Sequence, residues 1–137
     1  MNKSRVLFMC TGNSCRSQMA EAIVNSRFSD RWEASSAGSH PAGYVHPKAI
    51  LVLAEIGINH HGRSKPIDEF RGQTFDLVVT LCDQAEDECP VWLGKGRQVH
   101  QPFPDPAKAV GNEEEIVNDF RTVRDAIASG LESILNN

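Results

Sequence analysis

A single-domain, four-stranded parallel α/β sheet with helices on both faces is the fold class that this sequence predicts. Three observations lead there. Short continuous apolar runs alternate with segments of helical periodicity, the pattern of strands joined by crossover helices. The 137 residues provide enough chain for one substantial core, with no repeat, low-complexity tract or linker to divide them, so one domain over 1–137 is expected. The last quarter carries a long amphipathic helix with a readable start.

Arg5–Met9 is a short unbroken apolar run and reads as a buried strand. Ser17–Phe28 follows as a helix, with Met19, Ala20, Ile23, Val24 and Phe28 on one face. Trp32–Ser36 is the second strand, ended by Ala37-Gly38. Pro47 suits the first turn of a second helix; Ile50, Leu53 and Ile56 give it an apolar face, and Gly57 can cap it. Asp76–Leu81 is a third buried strand, Asp83–Glu88 an acidic helix or turn, and Gln98–Gln101 a short last strand. Asn112 can N-cap the final helix with Glu115 completing a capping box, ahead of the stripe Ile116, Phe120, Val123, Ile127, Leu131 and Ile134. In such a sheet, ligands sit at the carboxyl ends of the strands. Cys10, Cys82 and Asp105 each follow a predicted strand, so all three are expected at one edge.

Composition excludes several classes of function. The formal net charge of −4 disfavours nucleic acid or an anionic membrane surface as a partner. No apolar stretch approaches the ~20 residues of a membrane span. The N-terminal apolar run leads straight into the Cys10 loop, so no signal peptide is expected. A cytoplasmic monomer is the expected state, with its four cysteines mostly reduced.

The chemistry is concentrated in Cys10-Thr11-Gly12-Asn13-Ser14-Cys15-Arg16-Ser17, between the first strand and the first helix. The backbone N–H groups of Thr11, Gly12, Asn13, Ser14, Cys15 and Arg16, with the helix start, can wrap a tetrahedral oxyanion. Gly12 permits backbone conformations that other residues resist, and the Arg16 fork matches two oxyanion oxygens. The same field favours Cys10 as a thiolate nucleophile, which Ser17 can hydrogen-bond. Cys-x5-Arg alone is a weak pattern, compatible with a strand-end cysteine and a surface arginine. The strand before, the helix after and the small polar residues between make it specific.

The run from Cys10 to Glu21 resembles the active-site loop of the low-molecular-weight tyrosine phosphatase superfamily, and specifically its arsenate reductase branch. The likeness continues through Ser35-Ser36-Ala37-Gly38, Val78-Val79-Thr80-Leu81-Cys82, Asp105-Pro106-Ala107 and Phe120-Arg121-Thr122-Val123-Arg124-Asp125. It implies a phosphatase-like fold, an arsenical-resistance enzyme and a relay of three thiols. Cys10 would attack arsenate, Cys82 would attack Cys10 as arsenite leaves, and Cys89 would carry the disulfide outward, giving redox-active pairs Cys10–Cys82 and Cys82–Cys89. Cys89 points to thioredoxin as the electron donor, although relatives also use glutaredoxin, and no tightly bound cofactor is implied. Cys15 is read as structural or as an occasional redox partner of Cys10.

Asp105 resembles the family's general acid, whereas the plainer reading of Asp-Pro is a turn. In the tyrosine phosphatases of this family aromatic residues follow that Asp-Pro; Ala107-Lys108-Ala109 stand here. Asn13, Glu21 and Ser36 match positions that bind potassium in some relatives. The fourth position, usually Asp, is Lys65, which either takes the cation's place or points into water. A zinc site is disfavoured by the cysteine spacing. His60-His61 read as a solvated loop, and His40, His46 and His100 carry no reading alone. The competing functions are a phosphatase acting through a Cys10 thiophosphate, with Cys82 and Cys89 as bystanders, and a phosphocarrier domain.

If residues 82–89 formed a regular helix, seven steps would separate the ends by about 10 Å. A disulfide requires roughly 4.4–6.8 Å between Cα atoms. The segment must therefore bend or unwind when Cys82 and Cys89 pair, and its polar residues oppose this little. Amide-exchange protection over 82–89 is expected to differ between reduced and oxidised protein; equal protection would refute the rearrangement.

Overall fold

The computed structural model describes residues 3–83 and 90–136. The elements run β1 (Ser4–Cys10), α1 (Arg16–Arg27), β2 (Trp32–Gly38), α2 (Pro47–Ala54), β3 (Leu77–Thr80), β4 (Arg97–His100) and α3 (Glu113–Leu135). Two 3-10 turns, Ile67–Phe70 and Pro106–Lys108, lie between them. The four strands form one sheet in the order β2-β1-β3-β4, and every pairing is parallel. The expected acidic helix or turn lies outside the described residues apart from Asp83, as does Cys89.

β1 is central because its side chains serve both faces. Val6, Leu7, Phe8 and Met9 are all fully buried, each large apolar side chain contributing about 1.5–3 kcal/mol. Val6 and Phe8 join the core under α1, α2 and α3. Leu7 and Met9 face the opposite side, where Phe70 of the first 3-10 turn covers them with Phe75 and Trp92. Among the described residues, helical elements thus lie on both faces, unequally: three α-helices on one, a 3-10 turn on the other.

The final helix follows its sequence closely. Asn112 accepts from the Glu115 N–H at 2.9 Å, and the Glu115 carboxylate accepts from the Asn112 N–H at 3.3 Å, a complete capping box. Phe120, Val123, Ile127 and Leu131 are buried, and Ile116 and Ile134 pack at the margins. Buried Arg124 ties α3 to α2 by donating to the Val52 carbonyl at 2.8 Å and to Glu55 at 2.9 Å.

α2 departs from its predicted face. Ala49, Val52 and Leu53 are buried, while Ile50 is exposed and Ile56 only partly covered. Ile50, Leu53 and Ile56 satisfy a three-residue period. The packed set is displaced because an eight-residue helix of about two turns with few polar positions does not fix its own rotation; contact with α3 does. The predicted cap holds: Gly57 has φ +81°, its N–H reaches the Ala54 carbonyl, and the Ile58 N–H reaches that of Leu53. These two bonds form a Schellman motif.

The sheet order reverses direction at β1, with β2 on one side and β3 on the other. The crevice at their carboxyl ends is the switch point where ligands bind. There Gly38, paired with Cys10, backs the following loop. A Cβ at position 38 would lie 2.5 Å from the Thr11 carbonyl oxygen and 2.9 Å from the Asn13 nitrogen. Both are backbone atoms with nowhere to go. Gly38→Ala is expected to lose about 1–3 kcal/mol in urea unfolding and to weaken orthophosphate binding. Unchanged values for both would contradict the role given to this contact.

Candidate active site

The Cys10 loop is shaped by where its carbonyls go. Those of Cys10, Thr11, Gly12 and Ser14 accept from the N–H groups of Ser39, His40, Ala42 and His46, at 2.8–3.2 Å. All peptides are trans among the described residues, so each following N–H points away from its carbonyl. The N–H groups of Thr11, Gly12, Asn13 and Cys15 are thereby turned from the 39–46 segment, which makes the loop a cup of donors for an anion. Gly12 has no positive φ; the left-handed residue is Asn13, φ +48°.

Asn13 is fully buried and bonded on every side. Its Oδ1 accepts from the Lys65 N–H at 2.9 Å and from Gln18 Nε2 at 3.0 Å. Its carbonyl accepts from the same Gln18 nitrogen at 3.1 Å, and its Nδ2 donates to Ser17 Oγ at 2.7 Å. Ser17 Oγ lies 2.9 Å from Cys10 Sγ. With Asn13 donating to the oxygen, the hydroxyl hydrogen is available to a Cys10 thiolate, the contact predicted for Ser17.

Arg16 is buried at the first turn of α1. Its Nη1 donates to the Phe103 carbonyl at 3.2 Å, and its Nη2 stands 3.6 Å from Asp105 Oδ2. Asp105 holds the turn that its Asp-Pro sequence allows, and its second oxygen faces the cavity's arginine. Its Oδ1 caps the 3-10 turn by accepting from the Ala107 N–H at 3.0 Å, while Oδ2 faces the arginine. Cys10, Arg16 and Asp105 line a cavity of about 430 Å³, with Tyr44, His46 and Lys108 at its walls.

The cysteines differ sharply. Cys15 is buried, and desolvation pushes its thiol up to about 12, with the Asp105 charge adding to the effect. It is therefore a packed neutral thiol. Cys10 and Cys15 are free. Cys82, fully buried two residues beyond β3, is disulfide-bonded, contrary to the expectation of mostly reduced cysteines. The parallel sheet brings Cys10, Cys82 and Asp105 to one edge, as predicted.

Two residues escaped the sequence reading. His46 precedes Pro47, accepts from the Lys48 N–H at 3.1 Å as N-cap of α2, and packs its ring 4.8 Å from that of Phe120. Its place before a helix-starting proline was the available signal. His60 is half-buried rather than solvated, because its Nε2 meets Gln18 Oε1 at 2.7 Å. Lys65 turns inward: it is buried, with Nζ 2.9 Å from the Arg63 carbonyl, 3.5 Å from Ser36 Oγ and 3.8 Å from Glu21 Oε1. Among the described residues no group of three or more His, Cys, Asp or Glu is placed to hold a metal, and no helix is long and apolar enough to cross a membrane.

Residues 5–137 match the family model of the low molecular weight phosphotyrosine protein phosphatases. The chain belongs to that family. Over 134 residues it is 46% identical to the arsenate reductase of Halalkalibacterium halodurans, covering 97% of this chain and 96% of that protein. The solved arsenate reductase of Archaeoglobus fulgidus superposes with a TM-score of 0.81 at 30% identity, over 96% of this chain and 99% of that one. The thioredoxin-dependent arsenate reductase of Corynebacterium glutamicum gives 0.64 at 29% identity, over 97% of this chain and 62% of that one. The family's phosphatase architecture thus carries in this chain a buried Cys15, an inward Lys65 and a bonded Cys82.

Burial lowers the His46 pKa below its ordinary 6.5, and the Lys48 charge adds to the shift. The unfolded imidazole then binds a proton that the folded one refuses, so stability is full above about pH 6.5 and falls as pH drops toward the folded value. Protonation of Nδ1 also removes the cap. The melting temperature is expected to fall by a few degrees between pH 7.5 and 5.5, and less in His46→Asn, which keeps a cap acceptor. His60, shifted in the same direction by its own burial, supplies the remainder. An equally steep fall in His46→Asn would exclude His46 as a source.

Proposed function

We propose that this protein reduces arsenate to arsenite through Cys10, Cys82 and Cys89, and that thioredoxin regenerates it. One observation carries the reading: a free Cys10 lies in an oxyanion cup while Cys82, at the same sheet edge, is the cysteine held in a disulfide. That is the arrangement expected at the end of a turnover. Full-length likeness to arsenate reductases supports the substrate. The likeness to a thioredoxin-dependent enzyme supports the donor.

The steps balance as follows. The Cys10 thiolate attacks arsenic, the loop N–H groups and Arg16 hold the oxygens, and Asp105 protonates the departing oxygen, which leaves as water. The Cys82 thiolate then attacks the Cys10 sulfur. The S–S bond forms, the S–As bond breaks with its electron pair going to arsenic, and As(V) leaves as As(III). Cys89 attacks Cys82 and releases Cys10 as a thiolate. A dithiol of thioredoxin reduces the Cys82–Cys89 disulfide and becomes oxidised itself. The same cup, Arg16 and Asp105 would suit a phosphatase, but nothing in that reaction uses a disulfide at Cys82. The reading places the enzyme in the cytoplasm, as a monomer.

Single-turnover arsenite release tests the relay. Cys10→Ser is expected to be inactive, and Cys82→Ser to release no arsenite. Cys89→Ser should complete at most about one turnover and stall with Cys10 and Cys82 joined. Asp105→Asn should slow the first step by about 100-fold or more. Full thioredoxin-coupled turnover by Cys82→Ser would eliminate the three-thiol scheme.

A further inference from the structure

Behind the Cys10 loop, on the side away from the cavity, several oxygens converge on one cationic side chain. We propose that the Lys65 ammonium is a built-in cation that positions this loop and makes the site indifferent to dissolved monovalent cations. The proposal rests on the loop being an oxyanion site, but not on arsenate being its substrate.

Lys65 Nζ donates to the Arg63 carbonyl at 2.9 Å and to Ser36 Oγ at 3.5 Å, with Glu21 Oε1 at 3.8 Å. Ser36 in turn donates to Glu21 Oε1 at 2.9 Å. Glu21 and Lys65 side chains are only 14% and 10% exposed, so little solvent screens the pair. The same residue holds the loop through its backbone, since the Lys65 N–H is one of the two donors that fix Asn13 Oδ1. From Asn13 the contacts continue to Ser17 and then to Cys10. One residue therefore neutralises the carboxylate behind the loop and locks the side chain that orients the nucleophile's hydrogen bond.

Remove the ammonium and the remaining groups are a carboxylate, a hydroxyl and a carbonyl facing one hole. Oxygen donors of this kind suit a hard cation. Left unfilled, the hole would put an uncompensated Glu21 charge behind a site that must accept a thiolate and an oxyanion, and both would be disfavoured. Burial drives Lys65 toward its neutral form while Glu21 opposes that, with Arg63 and Glu69 as the other charged neighbours.

The test reads Cys10 directly, as its iodoacetamide alkylation rate at fixed pH in choline, sodium, potassium or ammonium chloride of equal ionic strength. Orthophosphate protection is measured in parallel. Wild type is expected to label at one rate in every salt. Lys65→Met keeps the backbone N–H and the length of the side chain but not the charge. It should label about tenfold more slowly in choline and recover to within about twofold of wild type in potassium or ammonium. Glu21→Gln with Lys65→Met should show no salt response, because the carboxylate that would attract a cation is gone.

Three results would overturn the proposal: wild-type labelling that rises when potassium replaces sodium, Lys65→Met labelling at the wild-type rate in choline, or a folded Lys65→Met that stays slow in all salts. If Lys65→Met does not fold, wild type decides: a potassium response sinks the proposal and its absence sustains it. No arm uses arsenate, so the expected salt pattern in a protein that releases no arsenite would defeat the reductase reading alone.

Discussion

Asn13 adopts a backbone conformation that a non-glycine residue enters only when its surroundings insist, and the active loop depends on that insistence. Its φ of +48° is tolerated better by Asn than by most residues. Tolerance alone does not hold it there. Gln18 bridges its carbonyl and side chain, Lys65 caps the amide oxygen, and Ser17 receives the amide hydrogen. The turn at Asn13 lets the loop reverse over Gly38 while its carbonyls face the 39–46 segment. The contacts come from the start of α1 and from Lys65, 52 residues away, and all end on Asn13.

The sheet distributes reactivity by geometry. Because all four strands run in parallel, whatever follows each strand emerges at one edge. β1 delivers Cys10, β3 leads to Cys82 and β4 leads toward Asp105. Cys15 lines the same cavity, but burial, with the Asp105 charge beside it, raises its thiol to about 12 and makes it a poor nucleophile.

Asp105 illustrates a division within one carboxylate. One oxygen holds the 3-10 turn and so fixes the loop, while the other faces Arg16 across 3.6 Å. In the proposed reaction, where this group delivers a proton, it gains from being held, since positional freedom reduces the advantage of proximity. The turn reading of Asp-Pro thus leaves one oxygen of the side chain for the arginine.

The order of strands and helices, the capping box of α3, the Gly57 cap and the gathering of Cys10, Arg16 and Ser17 in one strand–loop–helix frame were legible in the sequence, because each rests on neighbours within one or two turns. Hydrophobic period, capping chemistry and the strand–loop–helix frame are local. The buried face of α2 was not legible, since contact with α3 rather than its own pattern selects Ala49, Val52 and Leu53. Nor was the fate of Lys65, which the sequence left open between the place of a cation and water. Only the bridge between Gly38 and Pro66 and the Gly38 N–H bond to the Lys65 carbonyl bring it against the sheet. Sequence by itself determined which residues could do chemistry. Tertiary structure decided which of them meet, because burial and charge pairing are set by distant segments that no local spacing encodes.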